Sequence, residues 1–210
     1  MIKYWQDNSA RMMQLTIEHA RMVLIALFIA FLVAIVLIAV FLRKKNWMNS
    51  LIYFFSLLYS VPSYAFFALL IPITGLGETT AIIVLAFYNE YVLLRTFITG
   101  IREVDPNYIE VARGMGMTQE EIFTKVQLPL SMPAIFSGLQ VALASTMAIA
   151  TIASTISAGG LGDLMFEGLQ TGRVVSILWG TILTVALTLV CIVILKLIEN
   201  LVISDGLEKS

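Results

Sequence analysis

The stretch "EVARGMGMTQEEIFTKVQLP", residues 110–129, holds five charges, two glycines and a closing proline, in a chain that is 59% hydrophobic and only 13% charged. Its flanks decide the fold. On both sides lie apolar runs of about the ~20 residues that an α-helix needs to cross the hydrocarbon core. Such runs recur at roughly 22–42, 51–73, 79–98, 133–157 and 174–200, and mean hydropathy is +0.92. A water-soluble domain of 210 residues does not tolerate that pattern. The chain therefore reads as all-α, a polytopic membrane helix bundle of about five transmembrane helices, and residues 110–129 belong to its longest polar connection, 99–132.

Three parts follow from this reading: an outer interfacial amphipathic helix at 1–21, a membrane domain at 22–203 and a short tail at 204–210. The segment "YWQDNSARMMQLTIEHA" alternates polar and apolar residues at helical spacing and carries Tyr4 and Trp5, as a helix lying at the membrane interface does. Its His19 has no His, Cys or acidic partner at ligand spacing and is expected to be a satisfied interfacial residue. The run from 22 lacks a small-residue cleavage pattern and ends in Arg43, Lys44 and Lys45, so it is a retained helix rather than a signal peptide. Lone Cys191 sits in an apolar run and forms no intrachain disulfide.

Positive residues near span ends are held on the cytoplasmic side. Arg43, Lys44 and Lys45 mark the first connection as inside, and Arg95, Arg102, Arg113 and Lys125 do the same for the long polar loop. "TGLGETT" at 74–80 has no positive charge, and Arg173 is the one such residue in the outer loop before the last span. Five spans then place the N-terminus outside and the C-terminus inside. A net charge of −1 without a basic run excludes nucleic acid as a partner.

Within the loop, Asp105 is an N-cap and Pro106 fills the first helical position, where its missing N–H costs nothing. Gly114 and Gly116 stop that helix. Thr118 with Glu121 three residues on is a capping box, and Ile122, Phe123 and Val126 give the second helix an apolar stripe before Pro129 ends it. Two short helices at a glycine corner are marginal without packing or a partner. They form a candidate docking element.

The loop resembles the "EAA" segment of permease subunits of bacterial ABC importers. Glu110, Ala112, Gly116, Val126, Leu128 and Pro129 keep every spacing of that pattern, with Val111 in place of its first alanine and Val126 in place of its isoleucine. In that family the segment is the coupling helix that docks into a cytoplasmic ATPase. "LLYSVPSYAFFALLIPITGLG", "RTFITGIREVDPNYIEVARGMGMT" and "SAGGLGDLMFEGL" further resemble the permeases for quaternary-ammonium osmoprotectants: glycine betaine, carnitine and choline. The resemblance implies a bacterial cytoplasmic membrane protein working with ATPase subunits that hold ATP and Mg. It also implies an extracellular or periplasmic substrate-binding protein and a second permease subunit, identical or related, all embedded in membrane lipid.

The chain itself has no G-x-x-x-x-G-K-[ST] loop for nucleotide phosphates and no hydrolase motif, so no cofactor or catalytic residue is expected in it. Glu90, at mid-span, costs about 2.5–3.5 kcal/mol to insert and should face water or a partner, and Arg95 lies off its face. Thr146, Ala150, Ser154 and Ser157 recur at helical spacing along a fourth span rich in small residues, suited to close helix packing or to a polar strip. Glu90, Thr146, Ser154 and Ser157 are the candidate pathway residues. Tyr53, Phe54, Phe55, Tyr59, Tyr64, Phe66 and Phe67 spread over several turns and suit packing or lipid contact rather than a cation cage. Pro62 and Pro72 are expected to bend the second span, and "AGGLGD" at 158–163 reads as a tight outer turn. A methionine or other small-solute importer permease, and a passive channel or membrane scaffold, are the competing readings.

Overall fold

The computed structural model describes residues 1–42 and 44–203, so the 204–210 tail lies outside the described residues. Nine α-helices run along these residues: α1 (Ile2–Phe41), α2 (Lys45–Ser60), α3 (Ser63–Thr74), α4 (Glu78–Arg102), α5 (Pro106–Gly114), α6 (Gln119–Ile122), α7 (Leu128–Ile152), α8 (Gly162–Thr171) and α9 (Val174–Val202). A π-helical turn, Phe123–Gln127, joins α6 to α7, and a 3-10 turn, Ala153–Ile156, follows α7. Four helical segments are long and apolar enough to cross a membrane, five if the α2–α3 pair counts as one bent span.

The centre of the bundle is α4 packed on α7, the most extensive helix contact in the chain. Small residues set that approach. A Cβ added to Gly100 would lie 2.5 Å from the Ala134 Cβ, and one added to Gly138 would overlap the Thr96 hydroxyl. Further along, Thr146 Oγ1 donates to Asn89 Oδ1 at 2.7 Å. The fourth span's small residues thus act as expected for packing. Around this pair, α1 lies across both helices, α2 and α3 cover α4, and α9 flanks α7.

Two expectations are corrected. The 1–21 segment is no separate interfacial helix: α1 runs unbroken for 40 residues, about 60 Å. Residues 2–41 contain neither Gly nor Pro, so nothing in them breaks the backbone ladder. The N-terminal half of α1 instead packs Met12 and Leu15 against Leu161 and Leu164 near α8 and α9, and pins them with an Arg11–Glu167 ion pair at 2.7 Å. Arg21 makes a bidentate pair with Glu78 at 3.1 and 2.6 Å, tying α1 to the start of α4.

His19 is likewise no interfacial side chain, since it is fully buried against α7 and the glycine turn. Its Nε2 lies 3.2 Å from the Met147 carbonyl, which only accepts, so the proton sits on Nε2. Nδ1 has no partner and abuts Gly160, where an added Cβ would come within 2.9 Å.

The second span is more than bent. Its two halves meet at 98°, because Pro62 forces Val61 out of the helical region to φ −67°, ψ 131°. The Tyr88 hydroxyl caps the freed Val61 carbonyl. The 158–163 turn holds Gly159 and Gly160 at φ +78° and +85°, then opens directly into α8.

A test of this packing uses two glycines. Gly162→Ala would drive a methyl into the Thr151 carbonyl oxygen and within 2.6 Å of Ser154 Oγ, which should cost about 1–3 kcal/mol as overpacking. Gly114→Ala meets open space at a helix end. Thermal unfolding in detergent should show a clear loss for the first variant and none for the second.

Candidate functional site

The polar loop folds as a compact corner at one end of the bundle. Asp105 Oδ1 accepts the Asn107 N–H at 2.8 Å, and Pro106 starts α5, as its sequence position requires. The helix stops where Gly116 takes φ +83°, with Gly116 N–H donating to the Arg113 carbonyl and Met117 N–H to the Ala112 carbonyl. The capping box then starts α6: Glu121 N–H donates to Thr118 Oγ1 at 3.3 Å, and Thr118 N–H donates to Glu121 Oε2 at 3.0 Å. That backbone bond, followed by the Lys125 ammonium at 2.9 Å, holds the Glu121 carboxyl down at about 2.

Pro129 does not end the second helix. It sits in the first turn of α7, where the missing N–H is tolerated, and the π turn before it absorbs the change of register: Leu128 N–H donates to Phe123 O, five residues back. The stretch 119–156 is therefore one continuous helical body leading from the corner into the bundle. Along it, the apolar stripe read from sequence turns inward. Ile122 is 1% exposed, and Phe123 lines a cavity of about 370 Å³ with Leu128, Phe31 and Phe97.

The free apolar face lies on α5. Tyr108, Val111 and Met115, at i, i+3 and i+7, are 51%, 63% and 72% exposed, flanked by exposed Glu110 and Arg113. Sequence reading named Val111 only as a substitution in the family pattern and passed over the stripe, although the spacing is in "NYIEVARGM" and was the available signal. The motif residues divide accordingly. Glu110 and Gly116 are exposed; Ala112 is buried as α5 packs on α6 and the π turn; Val126, Leu128 and Pro129 are half-buried on the side of their own bundle.

The candidate pathway residues are not brought together. Thr146 is buried inside the chain on Asn89 and its own Ala142 carbonyl, beside buried Ala150. Ser154 bonds back to Thr151 O within the 3-10 turn, and Ser157 stands beyond it, exposed, at φ +61°. The helix ends at Ile152, so the expected strip loses its register. Glu90 does not pair with Arg95, whose guanidinium instead lies over the Tyr91 ring at 5.8 Å. The Glu90 carboxylate is 3% exposed, and neither oxygen has a hydrogen-bond partner. Rather than facing water, Glu90 is buried beside a cavity between α1, α2 and α4 to which its oxygens present no surface. Among the described residues no group of three or more His, Cys, Asp or Glu side chains is placed to hold a metal.

Residues 26–204 match the family described as "Binding-protein-dependent transport system inner membrane component". The chain belongs to this family. It is a non-catalytic transmembrane permease subunit of an ABC transporter and a multi-pass protein of the inner membrane. Its relatives include the choline transport system permease protein OpuBB of Bacillus subtilis, 34% identical over all of this chain and 96% of that one. The carnitine transport permease protein OpuCB of Listeria monocytogenes is 37% identical over 90% of this chain and 87% of its own. The permease fold also appears in an inward-facing structure of the MetNI methionine ABC transporter, with TM-score 0.78 at 21% identity over 91% of this chain and 95% of that one.

Within this permease the Asn89–Thr146 contact is a buried polar link in the central helix pair. Thr146→Val keeps the shape but strips the donor from an amide whose Nδ2 already lacks a partner. It should cost about 1–3 kcal/mol, read as a lower unfolding temperature, whereas Thr146→Ser should retain most of the stability. A loss in Thr146→Ser larger than that in Thr146→Val would assign the effect to the methyl group instead.

Proposed function

We propose that this permease serves an ATP-driven importer for quaternary-ammonium osmoprotectants, with choline, glycine betaine and carnitine as the candidate solutes. The relatives at 33–37% identity are named for choline, glycine betaine and carnitine transport, which supports that substrate class over methionine. The observation that carries the mechanism is the exposed Tyr108–Val111–Met115 stripe. An apolar helix face left open at the polar end of a membrane bundle fits a groove in a soluble partner, and the partner proposed is the cytoplasmic ATPase, which holds ATP and Mg.

On this reading α5 is the coupling helix, with Glu110 at its rim and Gly116 setting the corner that presents it. Val126, Leu128 and Pro129 act behind the surface, by joining the corner to α7. ATP-driven closure of two ATPase subunits would draw two such corners together and swing the helical bodies behind them, as packed bundles switch between discrete arrangements. A second permease subunit completes the pathway, a substrate-binding protein delivers the solute from outside, and the corner lies in the cytoplasm with the N-terminus outside. Glu90, Thr146, Ser154 and Ser157 are carried forward as pathway candidates, with Thr146 and Glu90 acting from inside the chain.

Val111→Asp places a charge in the centre of the stripe. It should abolish co-purification of the ATPase or lower uptake in proteoliposomes by about tenfold or more, as a hot-spot loss of about 2 kcal/mol implies, with membrane insertion intact. Gly116→Leu forces a branched side chain into the left-handed region, costing about 1–2 kcal/mol, and should uncouple hydrolysis from uptake. Full uptake in both variants would remove the coupling role from α5.

A further inference from the structure

Arg95 stands five residues past Glu90, the midpoint of α4. Its Cα is therefore about 7–8 Å from mid-depth, inside a hydrocarbon half-thickness of about 15 Å. Between residues 80 and 98 of α4, only Phe87 and Arg95 are exposed. An arginine that meets lipid extends its head toward the nearer interface, which here is the corner end at Arg102. Arg95 turns the other way. Its guanidinium lies 5.8 Å from the centroid of the Tyr91 ring, one turn deeper, and donates to the Tyr91 hydroxyl. Among the described residues no carboxylate pairs with it.

This side of the bundle is not built for lipid. From 22 to 40 on α1 and from 182 to 194 on α9, every exposed residue is apolar. Next to Arg95 the second span is instead broken at Val61 and Pro62, level with Tyr88, which lies two residues from the α4 midpoint. Tyr59, two residues before the break, brings its ring to 5.0 Å from that of Tyr91. α3 starts beyond the break without a side-chain cap, and Pro62 and Tyr64 are exposed. Irregular backbone at this depth persists only where it is buried in protein or meets water, and an unpaired guanidinium there needs the same.

The chemistry selects the ligand. A guanidinium offers five donors in a planar fork that matches a carboxylate, and Arg95 donates one bond to Tyr91. Head-group phosphates stay at the interface, so an anion reaches this depth in a solute or on a second subunit. The neighbouring ring favours the solute: Tyr59 is 37% exposed, and an open tyrosine face attracts the methyl groups of a quaternary ammonium.

We propose that Arg95, Tyr91 and Tyr59 form a pathway subsite for a zwitterionic solute, with Arg95 taking its carboxylate and Tyr59 facing its quaternary ammonium. Glycine betaine and carnitine engage both halves, and choline only the second. The proposal rests on the reading that the importer carries quaternary ammoniums.

Two measurements test it. With the permease–ATPase complex in nanodiscs and no binding protein, glycine betaine binding is followed by saturation-transfer NMR. Glycine betaine amide, which keeps the ammonium and masks the carboxylate, should bind about tenfold more weakly, as loss of a charged hydrogen-bond partner implies. That difference should vanish in Arg95→Gln. In proteoliposomes with the binding protein, Arg95→Gln should lower the ratio of glycine betaine to choline uptake by about tenfold. Tyr59→Ala should lower both uptakes alike, and Tyr59→Phe should retain them.

Equal binding of glycine betaine and its amide to the wild-type complex, or an unchanged uptake ratio in an assembled Arg95→Gln complex, overturns the subsite. If Arg95→Gln fails to assemble, the wild-type comparison decides alone, and equal binding there assigns Arg95 to subunit contact. Wild-type vesicles that import methionine and no quaternary ammonium would instead overturn the substrate class, a distinct result.

Discussion

The closeness of α4 to α7 is the constraint on which the rest of the chain depends. Between membrane helices the lipid is as apolar as leucine, so association rests on van der Waals contact and hydrogen bonds. Gly100 against Ala134, Thr96 against Gly138 and Asn89 against Thr146 form three successive rungs of one antiparallel seam. The residue numbers in each rung add to 234 or 235, the signature of a register held over about three turns. A side chain larger than those present at any of the first two rungs would prise the pair apart, and α1, α2, α3 and α9 all pack on this pair.

Much of this was readable in the sequence because local chemistry controlled it. The Asp105–Pro106 start, the Thr118–Glu121 capping box and the Gly116 stop each depend on groups within a few residues, and each appears as read. The small residues of the fourth span indicated close packing, but not the partner. That needed α4, whose own Gly100 and Thr96 were not singled out, and the link lies about 40 residues away in sequence.

What escaped the sequence reading was decided by context. Pro129 was read as a stop and Pro62 as a bend, yet Pro62 breaks its span at 98° while Pro129 sits inside a continuing helical body. The difference is where the unpaired carbonyl goes. At Val61 a side chain, Tyr88, takes it, and at Pro129 the preceding π turn changes the register. His19 gave no warning of its burial, because its environment comes from Met147 and Gly160, more than 120 residues away. The free stripe of α5 was masked by the more evident one of 122–126, and only the fold shows which of two amphipathic faces the bundle has already used.

On the proposed coupling role of α5, the continuity of α6, the π turn and α7 gives the corner mechanical meaning. α4 leaves the bundle at Arg102 a few residues before α5 begins, and α7 enters it directly from α6. Both strands of the corner are thus extensions of the two helices in the central seam. A load on α5 reaches α4 through residues 103–105 and reaches α7 through a helical body that runs to Ile156. Because the seam is packed side chain to glycine, it transmits such a load as movement of the pair rather than as sliding within it. At the far end the pair meets α1 through Arg21–Glu78 and His19–Met147, so displacement of the corner is opposed there by an ion pair and a buried imidazole. The π turn is the one place along 119–152 where the backbone departs from α-helical register, which makes it the point at which the corner can pivot while the seam stays closed.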